Sequence, residues 1–298
     1  MSQNKTKKID ALGHLSAGKR TRLHRLLYQF GPGRGTMLVL PYDQGLEHGP
    51  IDFLENPDSG DPDHILSLAI EGGFSGVALH LGLAEKYYPR VAGRIPLILK
   101  LNGKTSIPEK MFSTLTGTIE DAIRLGADAV GYTLYVGSPD QDQDIRQFRE
   151  VRQEAERFGL PVIVWAYPRG RAVDARGGKD GLYAVDYAAR TAEELGADAV
   201  KVNPPARTGP GGPAPYADLD WDAARRARKV VESAGRCLVL FSGGEKVGDR
   251  DLLDNARLLM GAGATGLIFG RNFWQRPWND ALAMAGEVRE ILLAHGES

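Results

Sequence analysis

A chain of 298 residues with 37 Lys+Arg, 38 Asp+Glu and a formal net charge of -1 offers no bulk attraction to nucleic acid or to an anionic membrane. Its single cysteine, Cys237, rules out an internal disulfide framework and a thiolate metal cluster. No run of about 18 consecutive apolar residues occurs, so no membrane span is expected, and the expected setting is a reducing cytoplasm with a small solute as partner.

Residues 1–35 are polar and basic and lack the apolar core and small-residue cleavage site of a signal peptide. They read as an N-terminal extension in which Gly18 to Phe30 forms a short basic helix, capping a barrel or touching another subunit. From there on, apolar runs alternate with amphipathic ones. The runs begin near Met37, Gly76, Pro96, Ala129, Pro161, Ala199, Cys237 and Gly266. Between them lie helix-like stretches such as IRQFREVRQEAERFG and YAARTAEELG. The hexapeptide LGADAV occurs twice, at Leu125 to Val130 and Leu195 to Val200, with weaker relatives at Gly73 and Gly263. In each, a glycine ends a helix and a strand follows. Eight strands alternating with helices imply right-handed βαβ units, and their number favours a closed (β/α)8 TIM barrel over an open sheet. No linker divides residues 36–298, which read as one catalytic domain.

A barrel of this kind carries its chemistry at the C-terminal ends of its strands. Side chains alternate along a strand, so Ala199, Lys201 and Asn203 share one face and Val200 and Val202 the other. The valines suit the helix layer, which turns Lys201 inward. A lone inward lysine is more often one that snorkels to the mouth or pairs with a carboxylate. Here it has company. Trp165 and Tyr167 share a face of the fifth strand, Lys100 and Asn102 one of the third, and Asp43 closes the first. A buried lysine near cations, for which Lys100 and Arg169 are candidates, loses its proton more readily and becomes a nucleophile toward carbonyls. Tyr167 is the candidate proton carrier, provided the site lowers its value from about 10 toward neutrality. Asp43 is placed to assist carbinolamine formation or to bind a hydroxyl. The last strands end in Ser242, Gly243, Gly244 and in Gly270, Arg271, where barrels frequently hold phosphate. The six histidines show no HxH, HxxxH or HExxH spacing, so no metal site is expected; His48 and His80 fall near strand ends.

The stretches LPYDQGLEHGP, IPLILKLNG, VWAYPRG, ADAVKVN, SGGEKV and GLIFGRN, in this order from Met37 to Phe273, resemble the archaeal-type class I fructose-1,6-bisphosphate aldolases, grouped with the DhnA-type aldolases. The resemblance implies a barrel that reversibly cleaves fructose 1,6-bisphosphate to dihydroxyacetone phosphate and glyceraldehyde 3-phosphate, with no metal and no cofactor. By position it makes Lys201 the Schiff-base lysine, Tyr167 the proton-transferring tyrosine, Trp165 the active-site tryptophan and Asp43 the strand-one aspartate. Lys100 belongs with the substrate contacts, and Arg169, Ser242, Gly243, Gly244, Gly270 and Arg271 match phosphate-holding segments. The family also implies a homo-oligomer, a pentamer-based decamer.

Two other readings stand beside this one. Relatives on the same scaffold use the lysine as an aromatic-precursor synthase or as a thiolase on a phosphorylated diketone, and Trp165 beside Tyr167 argues for the bisphosphate aldolase. A catalytically silent sugar-phosphate-binding barrel would need neither Lys201 nor Tyr167. The Gly- and Pro-rich loop from Asn203 to Trp221 reads equally as a lid or as a merely variable connection.

Overall fold

The structure is a computed structural model that describes residues 8–297. Eight parallel strands close into a barrel: β1 (Met37–Tyr42), β2 (Gly76–His80), β3 (Leu97–Lys100), β4 (Ala129–Val136), β5 (Val162–Pro168), β6 (Ala199–Val202), β7 (Leu238–Ser242) and β8 (Gly266–Ile268). Each pairs with its neighbours in sequence, and β8 returns to β1 through Met37 opposite Gly266. The expected (β/α)8 fold is therefore the fold found. Three strands, β3, β5 and β7, start one residue later than the apolar runs do, the first two because Pro96 and Pro161 have no N–H to give the ladder. Their carbonyls join it instead, accepting from Val77 and Val130 at 3.0 and 2.9 Å.

Alternation divides the apolar residues into two cores. Leu38, Leu40, Val77, Val130, Val200 and Val202 face outward and pack with the surrounding helices, among them Gln141–Phe158 and Leu182–Glu194. Met37, Val39, Ile98, Ile163 and Leu240 face inward, and Leu23, Leu26 and Leu27 join them. Those three leucines come from the helix Ala17–His24 and the π-helical turn Arg25–Gln29 that continues it. The basic N-terminal helix thus plugs the bottom of the barrel.

Its cations explain the repeated hexapeptide. Gly126 and Gly196 end helices with φ of 68° and 88°, a conformation that a side chain resists. Two residues on, Asp128 pairs with Arg25 at 2.7 Å, and Asp198 pairs with buried Lys19 at 3.0 Å. Asp198 also accepts from the Val162 N–H at 2.8 Å, tying β6 to β5. The repeat is a pair of docking points for the plug.

Candidate active site

At the opposite end, Lys201 projects inward from β6 in register with Trp165 of β5. Its side chain is 8% exposed. The Nζ lies 5.4 Å from the centre of the Trp165 ring and 5.2 Å from that of Tyr167. Among the described residues it makes no hydrogen bond or ion pair. Burial, reinforced by the charges of Lys100 and Arg271 and opposed by Asp43 and Glu47, pulls its pKa down to about 8. A buried ammonium without a partner gives up its proton more readily, and the resulting amine is a nucleophile.

Trp165 occupies its place because β4 carries a glycine beneath it. A Cβ on Gly131 would lie 2.8 Å from the Trp165 ring and 3.0 Å from the Lys100 side chain. The contrast between Gly131 and Lys201 after the two hexapeptides is thus a contrast between room and reagent.

Lys100 lies deeper than the side chains that line the cavity. It is completely buried beneath the pocket, with Nζ 3.0 Å from Glu47, 3.4 Å from Asp43 and 3.3 Å from the Asn102 carbonyl. Burial lowers its pKa, but the two carboxylates outweigh burial and push it above the ordinary lysine value. Its charge still acts on Lys201, as the sequence suggested. The second cation acting there is Arg271, whereas Arg169 lies 5.0 Å over the Tyr167 ring.

Asp43 opens the short helix Gln44–Glu47 without spending its carboxylate on a cap. Burial pushes that carboxyl up, yet Lys100 and Lys201 prevail and hold it below the usual carboxylate value. Tyr167 departs from expectation. Instead of moving toward neutrality, its phenol is pushed well above the ordinary value, by burial first and then by Glu47 and Asp43. The low-dielectric pocket and two nearby negative charges both disfavour phenolate. Its resting form is therefore the protonated phenol.

Ser242, Gly243, Gly244, Gly270 and Arg271 line the same pocket as Lys201, Tyr167 and Asp43, a cavity of about 770 Å³. Ser242 donates to Asn203 at 2.6 Å, and Asn203 donates to Asp180 at 2.8 Å, which joins the ends of β6 and β7. Gly244 has φ of 64° with open space at its Cβ position, while a Cβ on Gly243 would meet Asn272 and Phe269 at 2.8 Å. Arg169 lies between this cavity and an adjoining one of about 1460 Å³, also bordered by Glu47, Lys179 and Asp180. Among the described residues no group of three or more His, Cys, Asp or Glu is placed to hold a metal ion.

Sequence reasoning missed two residues here. Glu47, four positions after Asp43 in DQGLE, accepts from Lys100 and, at 3.4 Å, from Thr133. Asn272, next to Arg271, is wholly buried; it accepts from the Val247 N–H at 3.0 Å and donates to the carbonyls of Gly243 and Glu245 at 3.2 and 3.1 Å. It shapes the glycine loop. His48 bonds Asp52 at 2.8 Å, and His80 is mostly buried with its pKa lowered by burial and by Lys100.

The loop Asn203 to Trp221 is hydrogen-bonded to its surroundings. Ala206 donates to the Asp180 carbonyl at 2.7 Å, Gly209 to that of Gly177 at 2.9 Å, and the Tyr216 hydroxyl to Asp186 at 2.6 Å.

A family model for DeoC/LacD family aldolases matches residues 37–276, the whole barrel that holds this site. The chain belongs to that aldolase family. It is 42% identical over 261 residues to a class 1 fructose-bisphosphate aldolase of Thermoproteus tenax, covering 87% of this chain and 90% of that one. A 2-amino-3,7-dideoxy-D-threo-hept-6-ulosonate synthase of Halobacterium salinarum is more distant, at 32% over 270 residues and 90% of each chain. Among solved structures, an archaeal fructose-1,6-bisphosphate aldolase with its catalytic lysine bound to the carbinolamine intermediate superposes with a TM-score of 0.78 at 39% identity. That match covers 92% of this chain and 98% of the other. As an aldolase of this family, the chain carries the resemblance read from its motifs through the full barrel, so the archaeal-type class I identification stands.

Proposed function

We infer that this chain is a metal-independent Schiff-base aldolase that reversibly cleaves fructose 1,6-bisphosphate to dihydroxyacetone phosphate and glyceraldehyde 3-phosphate. The observation that carries the reading is Lys201: a buried amine with no hydrogen bond, its pKa drawn down to about 8, between two aromatic rings and beside a carboxylate. Its neutral form adds to the ketose carbonyl to give a carbinolamine. Tyr167, resting as the phenol, donates its proton to the departing hydroxyl, and water leaves as the iminium forms. The phenolate so created faces a new cation and the Arg169 guanidinium, and it takes the proton from the C4 hydroxyl as the C3–C4 bond breaks. The same phenol then returns a proton to the enamine carbon. Trp165 shapes the pocket, and Asp43 holds a substrate hydroxyl or steadies the iminium. Ser242, Gly243, Gly244, Gly270 and Arg271 take one phosphate and Arg169 the other.

Borohydride reduction with dihydroxyacetone phosphate tests the reading by attaching the triose covalently to Lys201, mapped by peptide mass spectrometry. An absent adduct, or turnover abolished by EDTA, would overturn it. Rates on fructose 1-phosphate and on the synthase's substrates separate it from the related lyases. A cytoplasmic homo-oligomer, a decamer by resemblance, belongs to the same proposal, and light scattering of the purified protein tests the assembly.

A further inference from the structure

Glu47 stands on the turn after β1, outside the set of residues that touch the reacting carbon in the scheme above. Its geometry sets the charge balance beneath them. The carboxylates of Asp43 and Glu47 share one buried cation, Lys100, and do not share it equally. Glu47 takes the ammonium at 3.0 Å in a hydrogen bond, whereas Asp43 stands 3.4 Å away and its Oδ2 has no hydrogen-bond partner. Glu47 is in turn held by the Thr133 hydroxyl. Thr133 is itself locked, its N–H donating to the Asn102 side chain at 2.7 Å and its carbonyl accepting from it at 2.8 Å. Lys100 also sits 5.3 Å from the centre of the Trp165 ring, the same ring that Lys201 faces.

We propose that Glu47 is a positioning residue for the chemistry at Lys201: by holding Lys100 on the β3 side of Trp165, it keeps the Asp43 carboxylate unbonded in the pocket where the iminium forms. Without Glu47, the ammonium of Lys100 has one carboxylate left to pair with, and Asp43 is drawn out of service. The three charges of the cluster sum to one negative. That is enough to balance one iminium cation and too little to trap Lys201 as an ammonium against its burial. The inference rests on the aldolase reading of Lys201.

The test is a double-mutant cycle on the full-length protein with two readouts. The first is the pH dependence of reductive methylation of Lys201 by formaldehyde and cyanoborohydride, followed on its peptide by mass spectrometry, which needs no substrate. The second is turnover of fructose 1,6-bisphosphate. Glu47→Gln removes a negative charge, so the labelling midpoint moves to lower pH while kcat falls about tenfold as Lys100 occupies Asp43. The amine becomes more reactive and the enzyme slower, a divergence that loosened structure does not produce. In Lys100→Met/Glu47→Gln, Asp43 is free again and kcat recovers most of that loss. Lys100→Met alone moves the midpoint upward, which keeps the proposal testable should Glu47→Gln fail to fold. A Glu47→Gln midpoint that stays put or rises, a double variant no faster than Glu47→Gln, or an unmoved midpoint in folded Lys100→Met overturns the proposal. A parent enzyme that traps no triose overturns instead the aldolase reading, while the labelling midpoints still report on Glu47.

Discussion

Lys100 and Lys201 hold their ammonium nitrogens 5.3 and 5.4 Å from the centre of one indole, that of Trp165, yet their proton affinities are driven in opposite directions. Both are buried, so burial is not what separates them. Lys100 is within 3.4 Å of two carboxylates, whereas Lys201 has no direct hydrogen-bond or ion-pair partner among the described residues. Direct carboxylate contact outweighs desolvation for the first, and desolvation prevails for the second. The site thereby holds a permanent cation and a poised amine side by side.

The first prediction concerns Lys201 and pH. Its folded value near 8 lies below the ordinary 10.5, so the penalty of burying its charge is fully present below about pH 8 and fades as pH rises toward 10.5. Lys201→Met removes that penalty. Denaturant unfolding should find this variant more stable than the parent by about 2–4 kcal/mol at pH 7, with the gap closing near pH 10.5. The parent's kcat/KM should lose about tenfold per pH unit below 8, and a flat profile from pH 6 to 9 contradicts the assignment.

Tyr167→Phe tests the proton transfers of the scheme. With the ring retained and the hydroxyl gone, triose trapping at Lys201 should slow, because dehydration of the carbinolamine loses its acid, and cleavage of fructose 1,6-bisphosphate should fall about 10²–10⁴-fold in kcat. Because burial and the two carboxylates keep the phenol protonated, the parent shows no loss of activity from phenol ionisation below pH 10. Cleavage at the parent rate in folded Tyr167→Phe would remove the phenol from proton transfer.

Asn272→Ala tests the glycine loop. The substitution leaves the Val247 N–H and the Gly243 and Glu245 carbonyls without their partner. Stability should fall by about 1–3 kcal/mol. The KM for fructose 1,6-bisphosphate should rise about tenfold, with kcat changed less, since the loop is assigned to binding shared by ground and transition states. An unchanged KM in the folded variant removes the loop from phosphate binding.

Gly131→Ala places a methyl where the Trp165 ring and the Lys100 side chain already are. Overpacking should cost about 1–3 kcal/mol and rotate the indole away from Lys201. Slower methylation kinetics at Lys201 and a shifted tryptophan emission are the expected signs, and wild-type values for both would show that the strand yields instead.

The barrel was legible because two periods are local: strand alternation placed Lys201, Trp165 and Tyr167 on inner faces, and the helix-ending glycines marked where strands begin. What stayed hidden depends on distant partners. Asp128 and Asp198 look like interchangeable parts of a repeat until Arg25 and Lys19 arrive from the far end of the chain. The inward direction of Lys100 was readable, whereas its pairing with Glu47, on another strand's loop, was not. The sign of the Tyr167 shift escaped for the same reason, since it is set by burial and by carboxylates that the sequence does not place beside it.

The plug at the barrel's base also constrains the order in which the molecule is finished. Lys19 meets Asp198 across 179 residues, and Arg25 meets Asp128 across more than a hundred. During synthesis this helix emerges before the barrel strands, yet its second anchor does not exist until β6 has left the ribosome. Until then Leu23, Leu26 and Leu27 have only part of an interior to enter, so a segment made before the barrel is among the last to be secured. A chain interrupted before Asp198 therefore carries an exposed leucine stripe, the kind of surface that chaperones bind.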